Sequence, residues 1–358
     1  MGFWDGVEDT FKSVAEANVL PIGVIANLAK IGDDPAGALT GIGGLLSPSL
    51  GFVSTLPLPW KDNTEPNISG AGGLPVFAAT LATLKQMRDQ CGTGEPDQGA
   101  NFDTGKYEFQ LIADMMGSAD APDTWQGVGS EAYGAANHHQ KRRADNMADA
   151  DAKVQQALST EAGQVTETRQ TLDGCIEVIN QCIPIATMMA ALPVGGNAAS
   201  YGFQVQTSEP VLLLAHTSLQ GLTDAVLTNT AEVKLAAGLY NAIGADNGAL
   251  RASTGDQLTV VTADLRRVSG DQDLIAAKIG LTSQTTAGTA ANVAKTHGTA
   301  CGSTSDALCD AVTARAATVT IMKNRSERLS DGLQTAANRY DTTDREGGGK
   351  IERSMHPR

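Results

Sequence analysis

Two long apolar stripes run through the sequence, and both repeat with the period of an α-helix. The first advances by seven, four, seven, seven, four, three and four residues along Met147, Val154, Leu158, Val165, Leu172, Ile176, Ile179 and Ile183. The second advances by four, seven, three, seven, four, three and four residues along Leu308, Val312, Val319, Met322, Leu329, Leu333, Ala336 and Tyr340. Because a β-strand would alternate at every second residue, these steps predict two long helices that each bury one face.

Each stripe follows a shorter helical pattern, so the sequence predicts two helical hairpins. The first of these patterns covers residues 103–116 and places Tyr107, Leu111 and Met115 on one face. The second begins at Leu258. Neither hairpin can bury its stripe alone. We therefore expect an all-α fold in which the hairpins pack as an elongated four-helix bundle with Gly/Pro-rich loops.

Prolines and glycines mark the expected ends of helices. Pro184 is expected to kink or end the first long helix. Residues 192–196, with the sequence LPVGG, are expected to form a break, and the next helical block runs from Pro210 to Ile243. Residues 347–358 begin with three glycines and end in a basic segment, which predicts a disordered tail.

Composition restricts the class of partner. Aromatic residues make up only 4% of the chain although 41% of it is hydrophobic, which suits helices that pack closely through small and aliphatic side chains. The net charge of −14 argues against a nucleic-acid partner, because phosphate binding needs clustered Lys and Arg. The local basic cluster at residues 138–143 is interpreted as a solvated helix face.

The first hundred residues differ in character from the rest. Residues 3–17 are expected to form a short amphipathic helix, and residues 18–73 form a Gly/Pro-rich apolar stretch. Residues 35–60 carry no charge, but four prolines in that run would break a helix crossing about 30 Å of hydrocarbon. We expect a loop region that packs on a core or a partner, and membrane contact through residues 18–60 stays open as the alternative.

The N-terminus does not match a cleavable signal peptide. Asp5, Glu8 and Asp9 stand where such a peptide carries its positive charges. Export of the chain would therefore have to proceed without a cleaved signal.

The five cysteines match no Cys-x-x-Cys motif. Cys175 and Cys182 share a helix face but lie about 10 Å apart along it, beyond the span of a disulfide. Bridges from Cys91 to Cys175 or Cys182, and from Cys301 to Cys309, stay open for a protein that leaves the cytoplasm, with free buried thiols as the alternative. The spacing of Cys301 and Cys309 from His297 fits no known zinc pattern, so no metal site is expected.

Motifs of enzymes are missing from the sequence. It contains no GxSxG, no HExxH, no P-loop and no Gly-rich phosphate cradle after a strand. Ser and Thr are abundant, but no base is placed beside a nucleophile. We therefore expect a protein that is not an enzyme and needs no cofactor.

Two short motifs lie in the predicted hairpins. Trp125-Gln126-Gly127 occupies the turn of the first, where the ring is a rigid anchor and Gly127 tolerates the turn backbone. Tyr340 and Asp344 lie four residues apart at the end of the second stripe, and therefore on one helix face. For Trp125 and Tyr340 the alternative is packing alone, and for Asp344 it is an ordinary solvated charge.

These residues carry a resemblance to a known family. A helix–Trp-x-Gly–helix hairpin resembles the WXG-type substrates of mycobacterial type VII secretion, and the expected elongated bundle resembles those of the WXG and PE/PPE proteins. Residues 103–240 are similar to EspA, and the part from Leu258 to Asp344 is similar to EspC. The resemblance covers two parts of the chain, and with the segments on either side of them we expect four parts. Residues 1–100 form an N-terminal region, 101–250 an EspA-like hairpin with a following helical block, 251–346 an EspC-like hairpin, and 347–358 a tail.

The resemblance also implies a function. The family's export signal is Tyr-x-x-x-Asp/Glu after a helical hairpin, which Tyr340 and Asp344 satisfy, and its Trp-x-Gly half corresponds to Trp125 and Gly127. It implies a secreted or cell-surface protein, recognised by the system's membrane ATPase, with a cytoplasmic chaperone, other secreted substrates or further copies of itself as additional partners. An intracellular scaffold for such substrates is the alternative. A toxin is disfavoured because the EspC-like hairpin fills the place of a catalytic domain.

Overall fold

The computed structural model describes residues 73–246 and 260–355, and all regular structure in these ranges is helical. Its helices are α1 (Pro75–Gln90), α2 (Ala100–Ser118), α3 (Val128–Ala190), α4 (Gly196–Ala245), α5 (Thr262–Thr282), α6 (Thr289–His297) and α7 (Gly302–Met355), with a 3-10 turn at Thr299–Cys301. The expected all-α fold is confirmed. The predicted helix at residues 3–17, the Gly/Pro-rich stretch with its membrane contact, Leu258 and the last three residues of the tail lie outside the described residues.

The chain forms two compact units, which we call the first and the second unit. Within the described residues, the first unit comprises 73–96, 162–225 and 295–301. The second comprises 97–161, 226–246, 260–294 and 302–355. Each unit thus takes residues from both sides of the expected domain border at residue 250, since residues 295–301 belong to the first unit and residues 97–161 and 226–246 to the second. The long helices α3 and α4 each contribute one part to one unit and one part to the other.

The core of the second unit is built from six helices. It contains residues of α2, α3, α4, α5, α6 and α7, among them Phe109, Leu158, Tyr240, Ile279 and Leu308, each less than 1% exposed. The two predicted stripes supply much of the buried surface in the chain. Six of the eight positions in the α3 stripe are buried, and the α7 stripe is buried or half-buried throughout. The last part of α4 adds a helix to the four expected in the bundle.

A buried ion pair lies inside this core. Arg315 donates from Nε to Asp151 Oδ1 at 2.8 Å and from Nη2 to Oδ2 at 2.9 Å, and both side chains are 0% exposed. Tyr240 donates its hydroxyl to the same carboxylate at 2.6 Å, and Arg315 Nη1 donates to the carbonyl of Thr282 at 2.7 Å. Gly105 leaves room for the pair, because a Cβ at this position would lie 2.6 Å from Arg315 Nη2.

The buried face of α2 differs from the predicted one. Tyr107 and Leu111 are 59% and 50% exposed. The helix instead buries the positions Phe102, Gly105, Phe109, Ile112 and Met116. That second stripe steps by three and four residues and carries two phenylalanines, so its burial removes more apolar surface from water than burial of the predicted face would.

In the first unit, polar side chains close the ends of helices. Gln204 accepts hydrogen bonds from the amides of Val76 and Phe77, at 3.2 and 3.4 Å, in the first turn of α1. This contact caps the helix because Leu74, at the N-cap position, offers no side-chain acceptor. Arg169 donates to the carbonyl of Cys91 at the other end of α1 and to the carbonyl of Thr296 near the end of α6.

The helix α3 continues through Pro184 to Ala190, so Pro184 does not end it. Two other expectations about single segments are wrong. The helical block expected to begin at Pro210 begins at Gly196, so that α4 contains Pro210 in its interior. Residues 347–355, expected to be disordered, continue α7 as an exposed helix, in which Arg353 donates to the carbonyl of Gly349 at 2.9 Å. Among the helices of residues 73–246 and 260–355, none is long and apolar enough to cross a membrane.

The basic cluster at residues 138–143 is only partly solvated. Arg143 is 5% exposed, and its guanidinium donates to Gln140 Oε1 at 2.8 Å and to the carbonyl of Asp246. Arg325 also donates to that carbonyl, at 2.7 Å. Since Asp246 directly follows α4, the two guanidinium groups stabilise the C-terminal end of that helix.

Candidate functional site

The Trp125 turn joins α2 to α3. Gly127 adopts a φ of 105°, a conformation that side chains with a Cβ rarely adopt, and α3 begins at the next residue. The amide of Trp125 donates to the carbonyl of Pro122 at 2.8 Å, which closes the turn. The indole is only 7% exposed. The turn therefore directs Trp125 into the second unit and leaves little of its ring to solvent.

Tyr133 anchors the turn from the first part of α3. Its ring centroid lies 5.4 Å from that of Trp125, and its hydroxyl donates to the carbonyl of Ala119 at 2.5 Å. Gln272 of α5 donates to the same hydroxyl at 2.9 Å and to Asn137 Oδ1 at 3.0 Å. Burial raises the pKa of Tyr133 to about 12, and the hydrogen bond from Gln272 opposes that shift.

One apolar cluster brings the two predicted motifs together. Trp125 and Tyr133 share it with buried residues of α5 and α7, namely Leu265, Val268, Leu333 and Ala337. Tyr340 packs against this cluster and is itself half-buried. The structure thus places the Trp125 turn and the start of the Tyr340–Asp344 segment on one small core of the second unit.

An ion pair between α5 and α7 fixes the segment that carries Tyr340. Arg266 Nη2 lies 2.5 Å from Asp341 Oδ2. The hydrogen bond from Arg266, and after it one from Thr262, lowers the pKa of Asp341. Asp344 is exposed one helical turn beyond Tyr340. Asp341 is therefore engaged within the fold, whereas Asp344 presents its carboxylate to solvent.

An open groove of about 550 Å³ runs along α7 beside Tyr340. Its lining includes Asp331, Gly332, Thr335, Ala336, Arg339, Tyr340 and Thr343. These positions repeat along one side of the helix and offer an aromatic ring, a guanidinium and small side chains. Such a surface can accept a side chain or a short helical segment of another protein.

All five cysteines lie in the described part of the chain, and no two of them are joined by a disulfide in this structure. Cys91, Cys175, Cys182 and Cys301 are buried, and Cys309 is exposed. Burial raises the pKa of both Cys175 and Cys182 to about 12, so these thiols stay protonated and unreactive. The bridges considered from the sequence stay predictions.

Several residues of this site were not found from the sequence. Gln272 interrupts the buried α5 stripe of Leu265, Val268, Ile275 and Ile279 at a helical step, and a polar residue at such a position can indicate a buried hydrogen-bond network. The ion pair of Arg266 and Asp341 gives no comparable signal in the sequence, because it depends on the register between two helices.

Comparison with protein-family models gives two matches. The EspA/EspE family model matches residues 91–174. A model described as excreted virulence factor EspC, type VII ESX diderm, matches residues 254–353. Neither is an enzyme family. No solved structure gives a significant match.

Relatives of the chain fall into the same two groups. The ESX-1 secretion-associated protein EspE of Mycolicibacterium smegmatis is 26% identical over 187 residues, which cover 52% of this chain and 36% of the relative. EspA of Mycobacterium tuberculosis is 25% identical over 171 residues, covering 48% of this chain and 44% of EspA. The chain thus spans less than half the length of either relative.

A third relative is an EspC-like protein. An uncharacterized EspC-like protein of Mycolicibacterium smegmatis is 34% identical over 103 residues, which cover 29% of this chain and 98% of that protein. The match includes nearly the whole relative, and its length is close to that of the segment matched by the EspC model. The chain therefore belongs to the Esp family of type VII secretion-associated proteins, with an EspA/EspE-like part followed by an EspC-like part.

Proposed function

We propose that this protein is exported as a substrate of a type VII secretion system and that it acts outside the cytoplasm without enzymatic activity. The system's membrane ATPase recognises Tyr340 and Asp344 on α7, and the Trp125 turn, with Gly127, holds that segment in place. Before export, the protein binds a cytoplasmic chaperone. After export, its partners are other secreted substrates or further copies of the chain. A cell-envelope or host-interaction role follows export.

The observation that carries the proposal is the shared apolar cluster. Trp125 lies in the core of this cluster and Tyr340 packs on its rim. A recognition surface must hold its groups in a fixed geometry. The ion pair of Arg266 and Asp341 holds the turn of α7 between Tyr340 and Asp344 in place. One binding site can therefore recognise the phenol and the exposed carboxylate at the same time.

Secretion into the medium tests the role of α7. In a mycobacterial host, Tyr340→Leu keeps apolar packing on the cluster but removes the phenol, and Asp344→Ala removes the exposed carboxylate. We expect both variants to accumulate in cells while the exported fraction falls by about tenfold or more, as for loss of a specific contact. Glu346→Ala, an exposed substitution two residues further along α7, is the matched control. Export of both variants at the wild-type level would contradict the assignment.

A folding defect must be separated from a recognition defect. Trp125→Ala is expected to lower the free energy of unfolding by about 3–5 kcal/mol, because it empties a buried aromatic site. Asp344→Ala is expected to leave it within about 0.5 kcal/mol. If Asp344→Ala loses export while its free energy of unfolding is unchanged, the result supports recognition of the carboxylate. If the exported fraction falls only in variants with a lowered free energy of unfolding, the result argues against recognition.

Cell fractionation with and without a working secretion apparatus tests the wider proposal. An exported substrate leaves the cytoplasmic fraction only when the apparatus is present. An intracellular scaffold stays with cytoplasmic markers under both conditions, and that result would replace the proposal with the alternative function.

A further inference from the structure

The first unit contains a helical hairpin whose apex is Pro193. Ser200 Oγ donates to the carbonyl of Ala186 at 2.7 Å, and Cys175 Sγ donates to the carbonyl of Val211 at 3.7 Å. Both pairs are symmetric about Pro193 in the sequence. Ala186 and Ser200 each lie seven residues from it, and Cys175 and Val211 each lie eighteen residues from it. The last part of α3 and the first part of α4 therefore run antiparallel, with residues 191–195 as the connecting turn.

The apex exposes apolar side chains. Met188 is 42% exposed, Leu192 57% and Val194 93%. Gly195, with a φ of 74°, turns the chain into α4. Each of these apolar side chains would lose its contact with water if the apex were covered, so leaving them exposed has a free-energy cost.

The end of the hairpin carries no charge. Residues 178–208 contain no Asp, Glu, Lys or Arg, and the bounding residues Glu177 and Glu209 each lie sixteen residues from Pro193. Both carboxylates are thus at one level of the hairpin, about 20 Å along each helix from its end at the turn. Between these two carboxylates and the apex, the hairpin has no charged side chain. Transfer of the apex into a medium of lower polarity would therefore not require a charge to leave water.

The shape and chemistry of the apex favour a lipid surface over a protein groove. A stable protein interface buries about 800 Å² on each partner and has a polar rim. Three apolar side chains at one turn expose far less than that. A turn with aliphatic and thioether side chains at its end can enter the boundary between head groups and acyl chains without a preformed partner surface.

We propose that the apex formed by Met188, Leu192 and Val194 inserts into the outer layer of a phospholipid membrane. No cation lies within the charge-free segment and the chain has a net charge of −14, so the apex binds zwitterionic lipid through apolar contact. Anionic lipid contributes nothing to this binding. The exposed polar side chains of Thr187 and Asn197 flank the apex and limit its insertion to roughly 5–10 Å.

This inference does not depend on the export proposal. It concerns a contact of the folded protein with lipid and is tested with the purified full-length chain. Failure of Tyr340 or Asp344 variants to change export would leave it untouched, and a failure to bind lipid would leave the export proposal untouched.

Flotation with vesicles tests the proposal. We expect the wild-type chain to float with phosphatidylcholine vesicles and to do so equally at low and high salt. The double substitution Leu192→Asp with Val194→Asp should lower the partition coefficient by about tenfold or more, because two carboxylates would then have to leave water. The control is Leu227→Asp with Leu235→Asp, which places the same charge at exposed positions (65% and 54%) of α4 beyond the charge-free segment, and it should float like the wild type.

Depth-dependent quenching gives a second readout. Val194→Trp should be quenched by phosphatidylcholine brominated near the head of the acyl chain more strongly than the wild-type chain, whose three tryptophans set the background. Four results would overturn the proposal. They are no flotation of the wild type, equal flotation of the double variant, binding that requires phosphatidylglycerol and disappears in salt, and a double variant that loses only self-association.

Discussion

Asp151 and Arg315 form a fully buried ion pair that joins the two family-related parts of the chain. Asp151 lies in the range that matches the EspA/EspE model, and Arg315 lies in the range that matches the EspC model. Both residues belong to the second unit. The EspA/EspE-like and EspC-like parts thus share one core, which agrees with the expectation that each hairpin needs a partner to bury its stripe.

Removal of one partner should destabilise that core. Asp151→Ala leaves the guanidinium of Arg315 buried with only the carbonyl of Thr282 as acceptor, and we expect the free energy of unfolding to fall by about 3–5 kcal/mol. Urea denaturation followed by circular dichroism measures it. Asp149→Ala, two residues away and exposed, is the control and should change stability by no more than about 0.5 kcal/mol.

A double substitution distinguishes pairing from packing. Asp151→Leu with Arg315→Met removes both charges and keeps the volume apolar, so it should recover most of the stability lost in Asp151→Ala. If the double variant is as unstable as the single one, the loss arises from the shape of the site and the account based on an unpaired charge is wrong.

Gly105 is expected to tolerate no side chain. A Cβ at this position would meet the carboxylate of Asp151 and lie 2.6 Å from Arg315 Nη2, and neither group can move without breaking the pair. Gly105→Ala should therefore destabilise the protein by at least about 1–3 kcal/mol, as overpacking does. Gly134→Ala, on α3 with open space around its Cβ, should instead raise stability by up to about 1 kcal/mol. Equal effects in the two variants would contradict this prediction.

Tyr133 should make the protein sensitive to alkali. The folded-state pKa is raised from 10.0 to about 12 because burial disfavours the phenolate, so the contribution of this residue to stability is complete below pH 10. It is lost as the pH rises from 10 to 12. Stability measured across that interval should fall less steeply for Tyr133→Phe than for the wild type. An unchanged slope would show that Tyr133 titrates as an exposed phenol does.

Thiol reactivity should separate Cys309 from the other four cysteines. In the folded, reduced protein, iodoacetamide should modify Cys309 first, because only this thiol is exposed. Cys175 and Cys182 should react only after unfolding, since their raised pKa values keep them protonated. Mass spectrometry of the labelled peptides reads both outcomes. If Cys309 of protein isolated from the medium reacts only after reduction, this cysteine has formed a disulfide on export.

The apolar period of the sequence predicts the helices but not every buried face. In α3 and α7 the stripes are long, so a wrong register would leave many apolar residues in water. In α2 two stripes compete over five turns, and the stripe with Phe102 and Phe109 is buried because of the neighbours it meets in the second unit. Pro184 does not end α3 and Pro210 does not begin α4, since packing of the long helices compensates for a lost backbone hydrogen bond.

The candidate site was predictable only in part. The pairing of a tryptophan turn with a late tyrosine follows from the order of the two hairpins. The contacts that position these residues do not, because Gln272 with Tyr133, and Arg266 with Asp341, each join side chains more than seventy residues apart in sequence. Such pairs depend on which helices become neighbours and on the register between them along their axes.

The apolar cover of Trp125 has a consequence for protein synthesis. Leu333 and Ala337, which bury the tryptophan ring together with α5, are translated about two hundred residues after the turn itself. A chain released early by the ribosome keeps the turn but lacks both this cover and Tyr340. Only a polypeptide that extends through Asp344 can assemble the whole surface, so a transporter that recognised it as proposed above would reject shorter translation products without a separate proofreading step.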